Sequence, residues 1–330
     1  MDNNKIAVVT GGTGFVGSHL VDLLLKKNFT VKCIVRKTSN LRWLKNKNVE
    51  IYDSGLFDKE RLKEILKDAD YLYHIAGVVK AKNKDGYFKG NVETTRNLLE
   101  VLSEVNPNIK RVIIMSSLTA CGPAKKNRPC KEEDEPHPIT TYGRSKLAQE
   151  NLAKEFMSKL PITITRAPAV YGERDTEIYL VFKTYKAGLM TLIGFDKKEI
   201  SLIHVVDLVR GIYMASLSDT AEGQIYFISS EKFYDWDSVG NIIGDVLNKK
   251  AVKIRLPHFS VYGIAAIAQF FAMFSSKPAT FNLEKAKDFV QKYWTCDTSK
   301  AKRDFGFQSE ISIEEGIKRT IEWYKKEKWL

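Results

Sequence analysis

Lys5-Ile6-Ala7-Val8-Val9-Thr10-Gly11-Gly12-Thr13-Gly14-Phe15-Val16-Gly17 is the stretch whose reading decides the fold. Residues 5–10 form an apolar run of strand length. Residues 14–27 carry helical spacing, with Leu20, Leu23 and Leu24 on one side. Between them lies Gly12-x-Gly14-x-x-Gly17, placed after a strand and opening a helix, which is the context this triplet needs. Glycine permits the positive φ of a tight turn, and a missing Cβ lets backbone approach a pyrophosphate. The helix N-terminus adds unpaired N–H groups and a partial positive charge. Turns also use glycine for local reasons; strand, helix and N-terminal position together favour a bound dinucleotide.

Outward from this turn, short apolar strands alternate with amphipathic helices. Strands are expected at 30–36, 49–53, 71–76 and 111–116, with helices at 61–67 and 92–105. A loop rich in Pro, Lys and acids then leads to a helix at 142–160 and a strand at 162–166. This βαβ rhythm predicts an α/β fold built on a doubly wound parallel sheet. After Gly172 the regularity fades into strands at 201–205, 224–229 and 252–256 and helices at 261–274 and 313–326. Residues 1–172 are therefore read as the dinucleotide-binding domain. Residues 173–330 are read as a smaller, partly interleaved substrate-binding lobe, some of whose segments return to the first. The apolar run 261–274 is too short to span a bilayer. It has three uses open to it: lining a substrate cleft, touching a membrane surface, or forming a core helix of the second lobe, which is the reading adopted.

The chain has 330 residues, 44% of them hydrophobic and 28% charged, an ordinary soluble composition. A net charge of +12 raises nucleic acid or anionic membrane as partners. The lysines are scattered, with isolated doublets at Lys125-Lys126, Lys249-Lys250 and Lys325-Lys326, so a solvated basic surface is preferred. The partner expected is a small-molecule substrate, with no nucleic acid and no stable membrane insertion. Cys33, Cys121, Cys130 and Cys296 form no CxxC pair and no metal-ligand spacing, so no metal is expected and a reducing compartment is. Met1, Asp2, Asn3 and Asn4 lack the charged-then-apolar pattern of a signal peptide, and a cytoplasmic location is expected.

The position that discriminates between cofactors lies at the end of the second strand, where an acid would accept from a ribose 2′-OH. Here the chain reads Cys33-Ile34-Val35-Arg36-Lys37-Thr38-Ser39, with no acid. A guanidinium suits a 2′-phosphate by charge and bidentate geometry. Arg36, helped by Lys37 and Ser39, points to NADP(H), with NAD as the other choice. Tyr142-Gly143-Arg144-Ser145-Lys146 begins a helix, putting Tyr142 and Lys146 at i and i+4 on one face. A tyrosine titrates near pH 10, and a neighbouring ammonium, together with the positive nicotinamide ring of an oxidised complex, is expected to lower that value. On spacing alone this is a surface pair. Ser116-Ser117 ends a strand, where open α/β sheets hold ligands; in isolation a serine there is a turn or cap.

These residues resemble the extended short-chain dehydrogenase/reductase superfamily, the group called NAD-dependent epimerase/dehydratase. The resemblance runs through Thr10 to Gly17, His74-Ile75-Ala76-Gly77, Asn91-Val92-Glu93-Thr94-Thr95 and Tyr142…Lys146. It continues in Arg166-Ala167-Pro168-Ala169-Val170-Tyr171-Gly172, His204-Val205-Val206-Asp207, Asp297-Thr298-Ser299-Lys300, Phe305-Gly306-Phe307 and Trp323-Tyr324. It implies a Rossmann-like fold and a Ser–Tyr–Lys mechanism in which Tyr142 is the acid/base, Ser117 rather than Ser116 supplies the hydroxyl, and Lys146 tunes Tyr142 and holds the nicotinamide ribose. Gly11, Gly12, Thr13, Gly14, Phe15, Val16 and Gly17 would cradle the cofactor, with Leu56, Ala76, Gly77 and Pro168 as further contacts. His204 and Asp207 are read as architectural.

Three departures matter: Gly55 where many members carry an acid toward the adenine, Ala169 where sugar-nucleotide enzymes place Asn, and Thr141 where they usually have Pro. With Val35-Arg36, these move the chain toward the dihydroflavonol-reductase and 3β-hydroxysteroid-dehydrogenase type. The activity expected is an NADP(H)-dependent reduction or oxidation of an apolar carbonyl or alcohol. The alternatives are a nucleotide-sugar epimerase or dehydratase and, third, a dinucleotide-sensing regulator without chemistry. Homodimerisation is the family's expectation.

Overall fold

The protein was analysed as a computed structural model that describes residues 5–274, 279 and 281–330; residues 1–4, where no leader pattern was read, lie outside them. The first half runs β1 (Ile6–Thr10), α1 (Phe15–Lys26), β2 (Thr30–Ile34), β3 (Val49–Tyr52), α2 (Lys59–Leu66), β4 (Tyr71–His74), α3 (Lys84–Phe88), a π-helical turn (Lys89–Glu93) and α4 (Thr94–Val105). It continues through β5 (Arg111–Ser117), α5 (Leu118–Cys121), α6 (Thr141–Phe156) and β6 (Ile162–Ala167). Alternation along the strands builds a core on each face of the sheet. Ala7 and Val9 pack with Leu20, Val21 and Leu24 of α1, whereas Val8 packs with Leu62 and Ile65 of α2 and Leu98 and Leu102 of α4.

The second half runs β7 (Ala169–Tyr171), α7 (Tyr179–Lys186), β8 (Leu189–Ile193), β9 (Glu199–His204), α8 (Val205–Leu217), β10 (Ile225–Phe227), β11 (Phe233–Tyr234) and α9 (Trp236–Leu247). It ends with β12 (Val252–Leu256), α10 (His258–Met273), α11 (Leu283–Val290), β13 (Tyr293–Trp294), α12 (Ser299–Phe305) and α13 (Ile313–Lys326). The central sheet has seven parallel strands in the order β10-β6-β5-β4-β1-β2-β3. The chain therefore crosses back between β1 and β4, and a doubly wound sheet holds its ligand beyond the carboxyl ends at such a switch point. Thr10 and His74 are the last paired residues there. From beyond residue 172, β10 closes the sheet edge against β6, and Leu208, Val209 and Ile212 of α8 join the core with α1. All four cysteines are buried and free.

Two readings from sequence need correction. The helix expected at 92–105 is the end of a longer helical run that starts at Lys84, capped by the Asn83 side chain on the Gly86 N–H. Its π-helical turn interrupts the 3.6-residue period, so the periodicity shows only past residue 91. The expected core helix at 261–274 is α10, and of its 16 residues only Val261 and Ala265 are buried. Phe271 is 67% exposed and Met273 74%. A helix that is apolar all round offers no polar face from which to read its orientation. No helix among the described residues is long and apolar enough to cross a membrane.

Candidate active site

The glycine turn is shaped by collisions that side chains would cause. Gly11 has φ +75°, and a Cβ there would stand 2.7 Å from the Ala76 amide nitrogen. The Gly14 N–H donates to the Gly11 carbonyl at 2.9 Å, closing the turn. A Cβ on Gly17 would lie 2.1 Å from that same carbonyl oxygen. The helix α1 starts with no side-chain cap and no acid in its first turn, so its first N–H groups are left for a ligand. This cradle fits a dinucleotide's pyrophosphate, with Thr13, Phe15 and Val16 partly accessible along it. Alanine at Gly17 gains about 1 kcal/mol of helix propensity, but overpacking costs roughly 1–3 kcal/mol. Gly17→Ala is thus expected to weaken dinucleotide binding strongly with little or no gain in stability, as read by cofactor titration and thermal melting.

At the end of β2, Arg36 and Lys37 are exposed, and no ion pair or side-chain hydrogen bond holds the Arg36 guanidinium among the described residues. The Ser39 hydroxyl accepts from the Arg36 N–H at 3.1 Å, which makes it a shaper of this turn. Gly55 at φ +68° faces open space, and the Leu56 carbonyl accepts from Asn97 Nδ2 at 3.0 Å. The Leu56 N–H and side chain remain open to an adenine, and its carbonyl keeps one lone pair.

Ser117, Tyr142 and Lys146 meet beyond the carboxyl end of β5. Ser117 Oγ caps α5, accepting from the Thr119 N–H at 3.2 Å and the Thr119 hydroxyl at 2.9 Å. With both lone pairs used, its one hydrogen is directed at the Tyr142 hydroxyl, a bond that works to lower the tyrosine's pKa. Ser116 instead turns inward and donates to Glu150 Oε1 at 2.5 Å, which leaves Ser117 as the hydroxyl in the site. The Thr140 side chain caps α6 by accepting from the Gly143 N–H at 3.2 Å, and so places Tyr142 in the first turn.

On balance the protein's own groups do not lower Tyr142; the expected lowering belongs to the complex with the oxidised nicotinamide. Burial pushes Tyr142 up to about 12, and Lys146 is not among the charges acting on it. Lys146 Nζ donates to the Met115 carbonyl at 2.7 Å and to Gln149 Oε1 at 2.6 Å. Burial brings Lys146 down to about 8. A Cβ on Gly77 would stand 3.4 Å from Lys146 Nζ, so Gly77 and the ammonium border the same space. Pro168, between β6 and β7, is buried at the end of the sheet; Ala169 beside it is exposed.

A buried polar bridge links the glycine turn to Lys146, and the sequence reading assigned it no role. The Ala76 N–H donates to Thr10 Oγ1 at 3.2 Å, and Thr10 Oγ1 meets His74 Nδ1 at 2.7 Å. His74 Nε2 meets Thr95 Oγ1 at 2.9 Å, and Gln149 Nε2 donates to that oxygen at 2.8 Å. The Thr95 hydroxyl spends its hydrogen on the Asn91 carbonyl at 2.7 Å, so His74 carries its proton on Nε2. Burial drives His74 down to about 3, which keeps it neutral. Asn91, on the π-helical turn, holds the loop after Gly77, accepting from the Val78 N–H at 2.7 Å and donating to Ser145 at 2.9 Å. The signal available in sequence was Asn91 and Thr95 at i and i+4, polar on the buried face.

His204 and Asp207 hold structure. His204 caps α8 and sits 3.3 Å from Glu173, and Asp207 accepts from the Glu310 and Ile311 N–H groups at 3.0 and 2.9 Å. At the start of α6, the Thr141 N–H donates to Glu284 of α11. Beyond α11 opens an apolar cavity of about 620 Å³ in the second lobe.

The switch point, glycine turn and parallel sheet define a dinucleotide-binding α/β protein. The sequence profile of the NAD dependent epimerase/dehydratase family matches residues 7–265, and the chain belongs to that family. Members are NAD(P)-dependent oxidoreductases, epimerases and dehydratases. The chain is 25% identical to a ceramide reductase of Caulobacter vibrioides over 100% of its own length and 97% of the relative's. It is 25% identical to a mouse (Mus musculus) sterol-4-alpha-carboxylate 3-dehydrogenase, decarboxylating, over 96% and 90%. In fold it is similar to the UDP-glucose 4-epimerase of Thermotoga maritima, with a TM-score of 0.81 at 23% identity, covering 98% of this chain and 99% of that one.

Proposed function

We propose that this protein is an NADP(H)-dependent oxidoreductase acting on an apolar carbonyl or the corresponding alcohol. The observation that carries the reading is the meeting of Ser117, Tyr142 and Lys146 beside Gly77, at the switch point that also holds the glycine turn. When bound there, the nicotinamide supplies the hydride chemistry. Tyr142, a phenol held at about 12, keeps its proton at neutral pH and can donate it to an oxygen that is becoming an alkoxide. Ser117 would turn its one hydrogen from the Tyr142 hydroxyl to that oxygen. Lys146, fixed by Met115 and Gln149, faces the space beside Gly77 where a ribose hydroxyl would lie.

Support for an apolar substrate comes from the cavity beyond α11 and from relatives whose names specify a ceramide, a sterol carboxylate and a 2-alkyl-3-oxoalkanoate. Support for NADP(H) is the unpaired Arg36. A charge-assisted hydrogen bond is worth about 1.5–3 kcal/mol, so Arg36→Asp is expected to weaken NADPH binding by roughly tenfold to a hundredfold while sparing NADH. Fluorescence titration with both nucleotides reads this; equal loss for the two would remove Arg36 from the 2′-phosphate. Stabilisation in thermal melts by a UDP-, GDP- or dTDP-sugar, with no turnover of apolar ketones, would replace the oxidoreductase reading by an epimerase or dehydratase.

A further inference from the structure

The second lobe presents α10 to its surroundings as an apolar ridge. Val261 and Ala265 pack with Ala286 of α11, and half-buried Ala268 and Ala272 continue the stripe that faces the protein. On the opposite side Phe259, Ile264, Ile267, Phe270, Phe271 and Phe274 are exposed, Phe259 by 78% and Phe274 by 79%. At about 100° per residue these positions, with Met273, spread over about half of the helix circumference. Phe270 meets Phe271 and Phe274 edge to face, at 5.8 and 5.5 Å between ring centres. Ile264 shares the wall of the apolar cavity with exposed Phe195, which carries the apolar surface past the helix.

A contiguous exposed patch of this kind marks an interaction site. Its shape and its surroundings in charge both point to lipid. The ridge is convex: a protein partner would have to bring a groove that fits it, whereas acyl chains flow around it. From Lys249 to Leu283 the chain has no Asp or Glu, but it has Lys249, Lys250, Lys253, Arg255 and Lys277. Four of these precede the helix; Lys277 follows it in sequence and lies outside the described residues. Lys249 and Lys250 are exposed, and Lys253 and Arg255 share a single carboxylate, Asp237. We infer that α10 docks this protein reversibly on an anionic lipid surface, with its phenylalanines among the acyl chains and the cations before it against the headgroups. An apolar helix face flanked by Lys and Arg is the makeup of an element that lies in the interfacial plane, and here the folded lobe serves as its polar side. The net charge of +12 adds long-range attraction to the same surface. The 16 residues of α10 rise about 24 Å, less than a hydrocarbon core of about 30 Å, so the helix rests on the bilayer and does not cross it.

Sedimentation of the whole chain with lipid vesicles tests this. Vesicles of phosphatidylcholine mixed equally with phosphatidylglycerol are expected to carry the protein down, and phosphatidylcholine alone to bind it roughly tenfold more weakly or less. Phe270→Glu combined with Phe271→Glu should cut binding by roughly tenfold or more. Lys249→Glu combined with Lys250→Glu should do the same for the anionic vesicles and leave the weak binding to phosphatidylcholine unchanged, a loss of roughly tenfold or more. All four side chains are exposed, so these variants are expected to melt as the wild type does. A label reads the same contact without added charge. The four native cysteines are buried, so an environment-sensitive dye on Phe274→Cys should shift to the blue with anionic vesicles, whereas the dye on Glu104→Cys, exposed on α4, should not. Equal binding to both kinds of vesicle, binding that survives the paired glutamates at 270 and 271, or an unshifted dye at position 274 overturns the inference. Self-association that those glutamates abolish, without vesicle binding, assigns the ridge to a second copy of the chain and overturns it as well. Turnover plays no part in these readings, so the oxidoreductase reading stands or falls separately.

Discussion

Tyr142→Phe is expected to reduce turnover of a ketone substrate by roughly 10²–10⁴-fold, the usual contribution of a positioned acid or base, with NADPH affinity nearly unchanged. The substitution deletes one oxygen and leaves the ring. That ring packs 6.3 Å from Tyr87, centroid to centroid, and keeps its place without the hydroxyl. What goes is the proton donor and the acceptor of the Ser117 hydrogen bond. Single-turnover NADPH oxidation beside a cofactor titration separates chemistry from binding. A variant retaining activity within about tenfold of wild type, against the 10²–10⁴ expected of such a group, would remove Tyr142 from the reaction.

The second large effect concerns stability. Arg166 on β6 and Glu150 on α6 form a buried bidentate ion pair, with bonds of 2.9 and 2.8 Å and side-chain exposures of 1% and 0%. Ser116 completes the carboxylate, and the guanidinium lies 5.3 Å from the centre of the Phe227 ring. Removing one partner leaves a charge in a site sealed from water, which costs about 3–5 kcal/mol. Arg166→Met is therefore expected to lower the chemical-denaturation midpoint markedly. The double variant Arg166→Met with Glu150→Met should recover much of the loss, because two apolar side chains replace two desolvated charges. Loss in the double variant equal to the sum of the singles would show that the ions are not coupled. Glu150 sits one turn beyond Lys146 on the same helix, so the pair also anchors the helix that carries the site.

Much of the fold was legible because its determinants are local. The closing helix Ile313–Lys326 and the strand Val252–Leu256 match their expected bounds, since each carries a regular period between clear stops. The strands missed were short, such as Phe233–Tyr234 and Tyr293–Trp294, and two residues hold no period to read. Of the site, the glycine turn was legible through spacing and element order. Ser117, Tyr142 and Lys146 were legible only through the family resemblance, since spacing alone reads them as a cap and a surface pair. Gln149 and Thr95 were not legible, because an amide or a hydroxyl on a helix looks the same in sequence whether it faces water or a neighbour.

The sequence by itself determined the phosphate turn and the parallel α/β architecture. It also set the absence of an acid at the end of β2 and the helical face shared by Tyr142 and Lys146, all of which follow from residues close together in the chain. Tertiary structure alone decided where the Lys146 ammonium points, that Tyr142 is held above its ordinary value, that α10 stays largely exposed, and that α11 puts Asp288 into the wall of an apolar cavity. The physical reason is separation along the chain. Gln149 meets Thr95 across 54 residues and Glu284 meets Thr141 across 143. Burial and hydrogen bonding at such distances exist only once the chain has folded.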